Sequence, residues 1–294
     1  MSSAMTVQTV LYRTSTDALL ASAQSIANAI TYAKSSGLFD EVTVAHGDAS
    51  DAALDESVRQ QIEEILAQRG VTYSYSHFGF NSGSAAGQNL LAEAHPSDWH
   101  FVTNPDVVVG ASAFEQLWRR TSDPSIGALE SRQLPLELGK YYDPISGDTS
   151  WASGACSLIR GELWRSLGGY DAKTFFLYGD DVDMSWRIRS MGLRIVHVPT
   201  SRVFHDKRLG RDNGAISDLE RTYSAVVSYL LAHKWGTDVD RERVMGFVAG
   251  EQYAAAREEI ARLRRNDRLP APVQNASRVA QFADDGTIGR WRYS

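Results

Sequence analysis

The chain lacks several features that would assign its class at once. Its 294 residues contain one cysteine, Cys156, so no internal disulfide can form. A single thiol fits a reducing compartment. Positive charge is not in excess: 30 Lys and Arg stand against 36 Asp and Glu, a formal net charge of -6. That balance excludes the basic face of a nucleic-acid binder. It also means that an anionic ligand has to be met by local cations or a metal. No long apolar run is present. The longest, YSAVVSYLLA from Tyr223 to Ala232, is about half of what a bilayer requires. MSSAMTVQTVLYR has no basic start followed by an apolar stretch, so no signal peptide is expected. Internal repeats and low-complexity segments are absent.

What is present alternates. TVQTVLYR, EVTVAHG, VTYSYSHF and WHFVTNPDVVV carry strand patterns, the last broken by a turn. Between them lie helical patterns over Ala18 to Ser35, over Asp55 to Arg69 and in SAAGQNLLAEA, the first two closed by Gly37 and Gly70. Strands separated by helices predict an α/β fold with a mostly parallel sheet covered on both faces. Such sheets bind ligands at the carboxyl ends of their strands. The stretch LESRQLPLELGKYYDPISGDTSWASGACSLIR predicts loops with one or two strands. GELWRSLGG predicts a short glycine-capped helix, and LRIVHVP with SRVFHD a late strand pair. From Ala215 onward two helices are predicted, AISDLERTYSAVVSYLLAHKW and DRERVMGFVAGEQYAAAREEIARLRR. The expected division is therefore 1–214 as the sheet domain and 215–294 as a helical extension and tail.

Four stretches carry candidate chemistry. In FFLYGDDVDMSWRIR three carboxylates, Asp180, Asp181 and Asp183, fall within four positions. Mutual repulsion makes such a cluster costly unless a helix N-terminus, an arginine, a metal or a proton offsets it. Helix capping accounts for one or two acids. A carboxylate at a helix start facing a cleft is also well placed as a general base. In TNPDVVV, Asn104 and Asp106 flank Pro105. Three turn-forming residues explain the motif as a turn, and two oxygen ligands one residue apart suit Mg2+ or Mn2+. His205 ends a predicted strand and precedes Lys207, Arg208 and Arg211, either a solvated basic loop or cations that close over an anion. NSGSAAGQN sets Asn81, Gly83, Gly87 and Asn89 between a strand and a helix, where backbone can approach a ligand. It is neither a P-loop nor a dinucleotide fingerprint.

The order of NSGSAAGQN, TNPDVVV, SGACSLIRGELWRSLGGYD and FFLYGDDVDMSWRIRSMGLRIVHVP, closing with His205, resembles the family 2 inverting glycosyltransferases of GT-A fold, especially the rhamnosyltransferase-like branch. The resemblance runs from about Thr6 to Arg211. It implies a nucleotide-diphosphate sugar donor, with deoxythymidine-diphosphate-rhamnose first, and a glycan or lipid-linked acceptor. Asp181 is implied as the catalytic base. Asn104, Asp106 and His205 are implied as the divalent-cation site, and Thr9, Tyr12, Asp48, Asn81, Gly83, Gly87, Asn89, Arg208 and Arg211 as further donor contacts. Trp151, Gly154, Asp180 and Trp186 are implied on the acceptor or sugar side, with Tyr141 and Tyr142 as additional sugar-packing candidates. One departure stands out: the family's second strand commonly ends Asp-Asn-x-Ser, whereas VAHGDAS puts Gly47 in the acidic place and Asp48 beside it.

Two other classes share parts of this pattern. A sugar-nucleotide binder without turnover would not need both Asp106 and Asp181. A nucleotidyltransferase needs a glycine-rich basic loop after the first strand, where LYRTSTDALL has no glycine. Val226, Val227, Leu230, Leu231 and Trp235 predict an apolar face on the first C-terminal helix, to cover the sheet domain, to form a homodimer or to touch a membrane surface. The expected location is cytoplasmic, with peripheral contact at the inner membrane face as the alternative.

Overall fold

The computed structural model describes residues 4–38, 41–135, 139–205, 217–283 and 288. The chain starts with three strand–helix units: β1 (Ala4–Leu11), α1 (Thr16–Ser35), β2 (Glu41–Asp48), α2 (Glu56–Ala67), β3 (Thr72–His77) and α3 (Gly83–Ala94). Then come β4 (Trp99–Thr103), β5 (Val107–Val109), α4 (Ala113–Trp118), β6 (Ile126–Leu134), β7 (Cys156–Arg160), α5 (Gly161–Leu167), α6 (Asp180–Ser190) and β8 (Arg194–His205). Three helices follow: α7 (Asp218–Trp235), α8 (Asp238–Phe247) and α9 (Ala254–Arg265).

Among the described residues eight strands form one sheet in the order β3-β2-β1-β4-β7-β6-β8-β5. The β3-β2-β1-β4 half is parallel, because helices return the chain to the same end between strands. The other half is mixed: β7 runs antiparallel to β4 and β6, and β5 antiparallel to β8, while β6 and β8 are parallel. Four of the seven pairings are parallel, as expected of a mostly parallel sheet, and the three antiparallel ones lie at or beyond β7. Among the described residues no helix separates β6 from β7, and the chain returns beside itself in the opposite sense.

Two expectations are corrected. The late strand pair is one strand, β8, whose register against β6 slips between Val198 and Arg202. Pro199 lies in the slip and has no N–H to give the ladder. The second C-terminal helix is two, α8 and α9, divided by the segment from Val248 to Gly250 and a 3-10 turn at Glu251–Tyr253. The short α4 carried no clear signal, being six residues long.

The apolar face of α7 packs on the sheet domain. Val226, Val227, Leu230, Leu231 and Trp235 join Trp151, Phe175, Val182 and Trp186 in one buried cluster. Its far side is closed by Val244 from α8 and Ile260 from α9. Among the described residues no helix is long and apolar enough to cross a membrane.

Candidate active site

The acidic stretch lies on the first turn of α6 and its three carboxylates have three different settings. Tyr178 and Gly179 are consecutive left-handed residues, with φ of 66° and 75°, and they turn the chain sharply into the helix. A side chain at Gly179 would strike Val227 of α7, its Cβ 2.4 Å from a methyl group, so only glycine fits. Asp183 is fully buried and meets the Nε of Arg187 at 2.8 Å, the ammonium of Lys234 at 2.6 Å and the indole N–H of Trp235 at 2.8 Å. It is a structural anchor between α6 and α7.

Asp180 is also buried, and Ser84 at the start of α3 donates to its carboxyl. Burial, then the neighbouring charge of Asp181, pushes its pKa up to about 7. Asp181 is half-buried. Its Oδ2 accepts the Gly154 amide at 2.9 Å and its Oδ1 the Val182 amide at 2.8 Å. Burial raises its pKa as well, against the pull of those two amides. Of the three, Asp181 alone is partly open to solvent, as a base requires.

The Asn-Pro-Asp corner sits at the same edge of the sheet. Asn104 directly follows β4, whose last residue, Thr103, pairs with Cys156 and donates through Oγ1 to the Ala155 carbonyl at 3.0 Å. Ala155 is the neighbour of Gly154, so the corner and Asp181 grip adjacent links of one segment. Val107 pairs with His205, which brings Asp106 Oδ1 within 3.5 Å of His205 Nε2.

The imidazole's other nitrogen, Nδ1, lies 2.8 Å from Gln133 Oε1. That amide is oriented by a further bond from Gln133 to Cys156. With Nδ1 facing Gln133, Nε2 is the nitrogen that faces the Asp106 carboxylate. An imidazole nitrogen and a carboxylate oxygen this close are both groups that can ligate a divalent cation, and Mg2+ or Mn2+ sites of this kind take few protein ligands and complete the shell with phosphates and water. The Asn104 carboxamide is the second oxygen-bearing side chain at the corner, beside the Asp106 carboxylate. Among the described residues no group of three or more His, Cys, Asp or Glu side chains is placed to hold a metal, so the donor set here is sparse.

The parallel half contributes a cavity of about 390 Å³ at the carboxyl ends of β1 and β2, lined among others by Leu11, Arg13, Thr14, Asp48, Asp51 and Leu54. Asp48 lines it, but its carboxylate is taken up by the Ser50 amide at 2.9 Å, the Leu54 amide at 3.0 Å and the Tyr75 hydroxyl at 2.6 Å. It shapes the loop around the cavity. Gly47 is glycine for a packing reason: a Cβ there would lie 2.3 Å from the Phe78 ring. Tyr12 is exposed beyond β1, while Thr9 is sealed inside that strand.

Other candidates are placed elsewhere. Asn89 uses both ends of its amide on the backbone of Tyr170, at 2.8 Å each, and so is a structural clasp. At Gly87 a Cβ would lie 2.7 Å from both Ser82 and Val10, so this glycine lets α3 approach β1. Gly83 serves the site: it stands against the Phe176 carbonyl, which accepts the Ser84 amide at 2.9 Å. Asn81 is exposed and accepts the Gly83 amide at 3.1 Å.

Trp186 is fully buried, donates to Ser150 and packs edge-on to Trp235 and Phe282, so it cannot meet a sugar. Trp151 is buried too, with the Lys140 ammonium 4.0 Å above its ring. Tyr142 stacks near His197 at 4.4 Å, whereas Tyr141 is exposed. Lys207, Arg208 and Arg211 lie outside the described residues. Ser84, Glu130, Lys140 and Gln133 escaped the sequence reading; the only signal was a charged residue, Glu130, inside the otherwise strand-like IGALESRQL.

No family model matches the chain. An N-acetylglucosaminyl-diphospho-decaprenol L-rhamnosyltransferase of Mycobacterium tuberculosis is 26% identical over 264 aligned residues, which cover 76% of this chain and 86% of that protein. Among solved structures, GalNAc-T7 with UDP, GalNAc and Mn2+ superposes with a TM-score of 0.62 at 14% identity, over 94% of this chain and 56% of the other. The mannosyltransferase PcManGT from Pyrobaculum calidifontis, in complex with GDP-Man and Mn2+, gives 0.58 at 13% identity, over 95% and 74%. The fold is that of the GT-A glycosyltransferases, and the similarity in sequence is to a rhamnosyltransferase-like enzyme.

Proposed function

We propose that this glycosyltransferase moves a sugar from a nucleotide-diphosphate donor to an acceptor hydroxyl with inversion at the anomeric carbon. L-rhamnose from deoxythymidine-diphosphate-rhamnose is the preferred donor, and a glycan or lipid-linked sugar the acceptor. The observation that carries the proposal is the placement of Asp181 and the Asp106–His205 pair on one sheet edge, joined through Gly154, Ala155 and Thr103.

In this scheme Asp181 takes the proton of the acceptor hydroxyl as that oxygen attacks the anomeric carbon. The bond from that carbon to the diphosphate oxygen breaks on the opposite face. Gly154 and Val182 hold the carboxylate in one orientation while it acts. Asn104, Asp106 and His205 are the residues that would hold a divalent cation. When bound, such an ion supplies charge stabilisation to the departing diphosphate. The domain division at about residue 214 fits this scheme, with α7 to α9 as the wall behind α6.

A thermal-shift screen of deoxythymidine-diphosphate-rhamnose, UDP-hexoses and GDP-mannose, with and without Mn2+, tests the donor. Radiolabel transfer to a GlcNAc-diphospho-polyprenol analogue tests the reaction and, by NMR of the product linkage, the inversion. Stabilisation by one nucleotide-sugar and transfer with inverted anomeric configuration are expected. Binding without transfer or hydrolysis would leave a sugar-nucleotide binder, and no binding would remove the proposal.

A further inference from the structure

Behind the acid pair lies a second set of charges that the transfer step does not touch. Glu130 on β6 and Lys140 are both buried and ion-paired at 2.8 Å. The second oxygen of Glu130 meets His197 Nδ1 at 2.9 Å. Burial pushes the Glu130 carboxyl up, but Lys140 first and His197 next bring it down to about 2, so it is an anion throughout. Buried pairs of this kind are weak stabilisers, often matched by apolar residues of equal volume. Their hydrogen bonds point to what they hold.

Those bonds converge on one five-residue segment. Lys140 Nζ donates to the Trp151 carbonyl and stands over its ring. Glu130 Oε1 accepts the Ser153 amide at 2.8 Å. On the other flank Ser185 Oγ accepts the Ala152 amide at 3.0 Å and itself donates to the Asp181 carbonyl at 2.7 Å. Thr103 holds Ala155. Every residue from Trp151 to Ala155 is therefore anchored, and the Gly154 amide, set among these bonds, is the one given to Asp181.

The geometry points to Glu130 and Lys140 as positioning residues for Asp181: together they clamp the 151–155 segment from behind, so that the Gly154 N–H holds the base in a single orientation. The inference rests on Asp181 being the base of the proposed transfer. Neither residue reaches the acceptor or the donor in this scheme. Consecutive amides, 153 and 154, serve two carboxylates, and loss of the rear one frees the segment that carries the front one. The charges facing Asp181 are Asp180, Lys140, Glu130 and, as a neutral phenol, Tyr170. Lys140 lowers the carboxyl's proton affinity and Glu130 raises it.

The test compares Lys140→Met, Glu130→Gln and the double variant in the full chain. Amide exchange at Gly154, read by NMR, should speed up about tenfold or more in each single variant, while exchange in β1 and β2 stays as in the wild type. The 13C titration of the Asp181 carboxyl, assigned with Asp181→Asn, should move to higher pH in both variants, because each loosens the Gly154 amide that lowers the carboxyl's proton affinity more than either charge changes it, and further in Lys140→Met than in Glu130→Gln. Turnover should drop roughly tenfold or more with the donor KM unchanged. If Lys140→Met does not fold, Lys140→Arg and Glu130→Gln carry the comparison, with Lys140→Arg keeping the wild-type titration. Unchanged Gly154 exchange, or a shift to lower pH in Glu130→Gln as loss of a bare charge alone would give, would overturn the clamp. Faster Gly154 exchange and upward shifts in the variants, with no turnover of the wild type on any donor, would instead sink the transferase reading and leave the clamp standing.

Discussion

The indole of Trp235 donates to the Asp183 carboxylate at 2.8 Å, tying the last turn of α7 to the first turn of α6. Lys234 reaches the same oxygen at 2.6 Å and also Asp171 at 2.8 Å. The third acid of the cluster thus belongs to the joint between the sheet domain and the C-terminal helices. Asp183→Ala should cost about 3–5 kcal/mol, the penalty of leaving buried partners uncompensated. Urea denaturation measures it, and a loss below about 1 kcal/mol would deny the joint its role.

Asp181→Asn keeps the shape but can accept only one of the two backbone amides, through its remaining oxygen, and cannot take a proton. Turnover should fall by about 10²–10⁴-fold. The donor Kd, from calorimetry, should stay within a factor of a few. Retention of wild-type turnover would assign the proton to another group.

The Asp180 carboxyl, pushed up to about 7 by burial and by Asp181, keeps its proton in the folded chain where an unfolded carboxyl, near about 4, has lost it. Between those values the native state binds more protons, so stability falls as pH rises from about 4 to about 7 and stays low above. Asp180→Asn removes this trend. The stability of wild type relative to the variant should therefore decrease across that window, as read from melts at several pH values. A flat difference would mean that Asp180 ionises normally.

Asp106→Asn and His205→Ala should each weaken the extra thermal stabilisation that Mn2+ gives with a bound donor. Donor binding without metal should change little. A Mn2+ response equal to that of the wild type in both variants would place the cation elsewhere.

Trp186→Phe offers a check on a residue moved from the site to the core. Its ring is enclosed by Trp235 and Phe282 and its N–H is given to Ser150. The variant should lower stability by about 1–3 kcal/mol through the lost hydrogen bond and volume. The acceptor KM should not respond; a rise of tenfold at unchanged stability would return Trp186 to the sugar side.

Much of the architecture was legible because it rests on local periodicity. Helical faces such as Val58, Ile62 and Leu66 and the alternation of strand and helix are short-range properties, and they mark α1, α2 and the parallel half of the sheet. The departures came where pairing partners lie far apart in sequence. The antiparallel half and the slip of β8 around Pro199 depend on pairings that no local window contains, whereas the break between α8 and α9 follows Gly246 and Gly250 in the local sequence.

The sequence by itself determined the roster: three acids before a helix, an Asn-Pro-Asp corner, a strand-end histidine, and an order that resembles a glycosyltransferase. Only the tertiary structure decided their roles, because a carboxylate's chemistry is set by its surroundings. Asp183 is neutralised by Lys234 and Arg187, Asp180 is buried beside a like charge, and Asp181 is held at the edge by backbone amides. Three identical side chains within four positions come out as anchor, proton holder and candidate base, since burial and hydrogen-bond donors arrive from strands and helices remote in the chain.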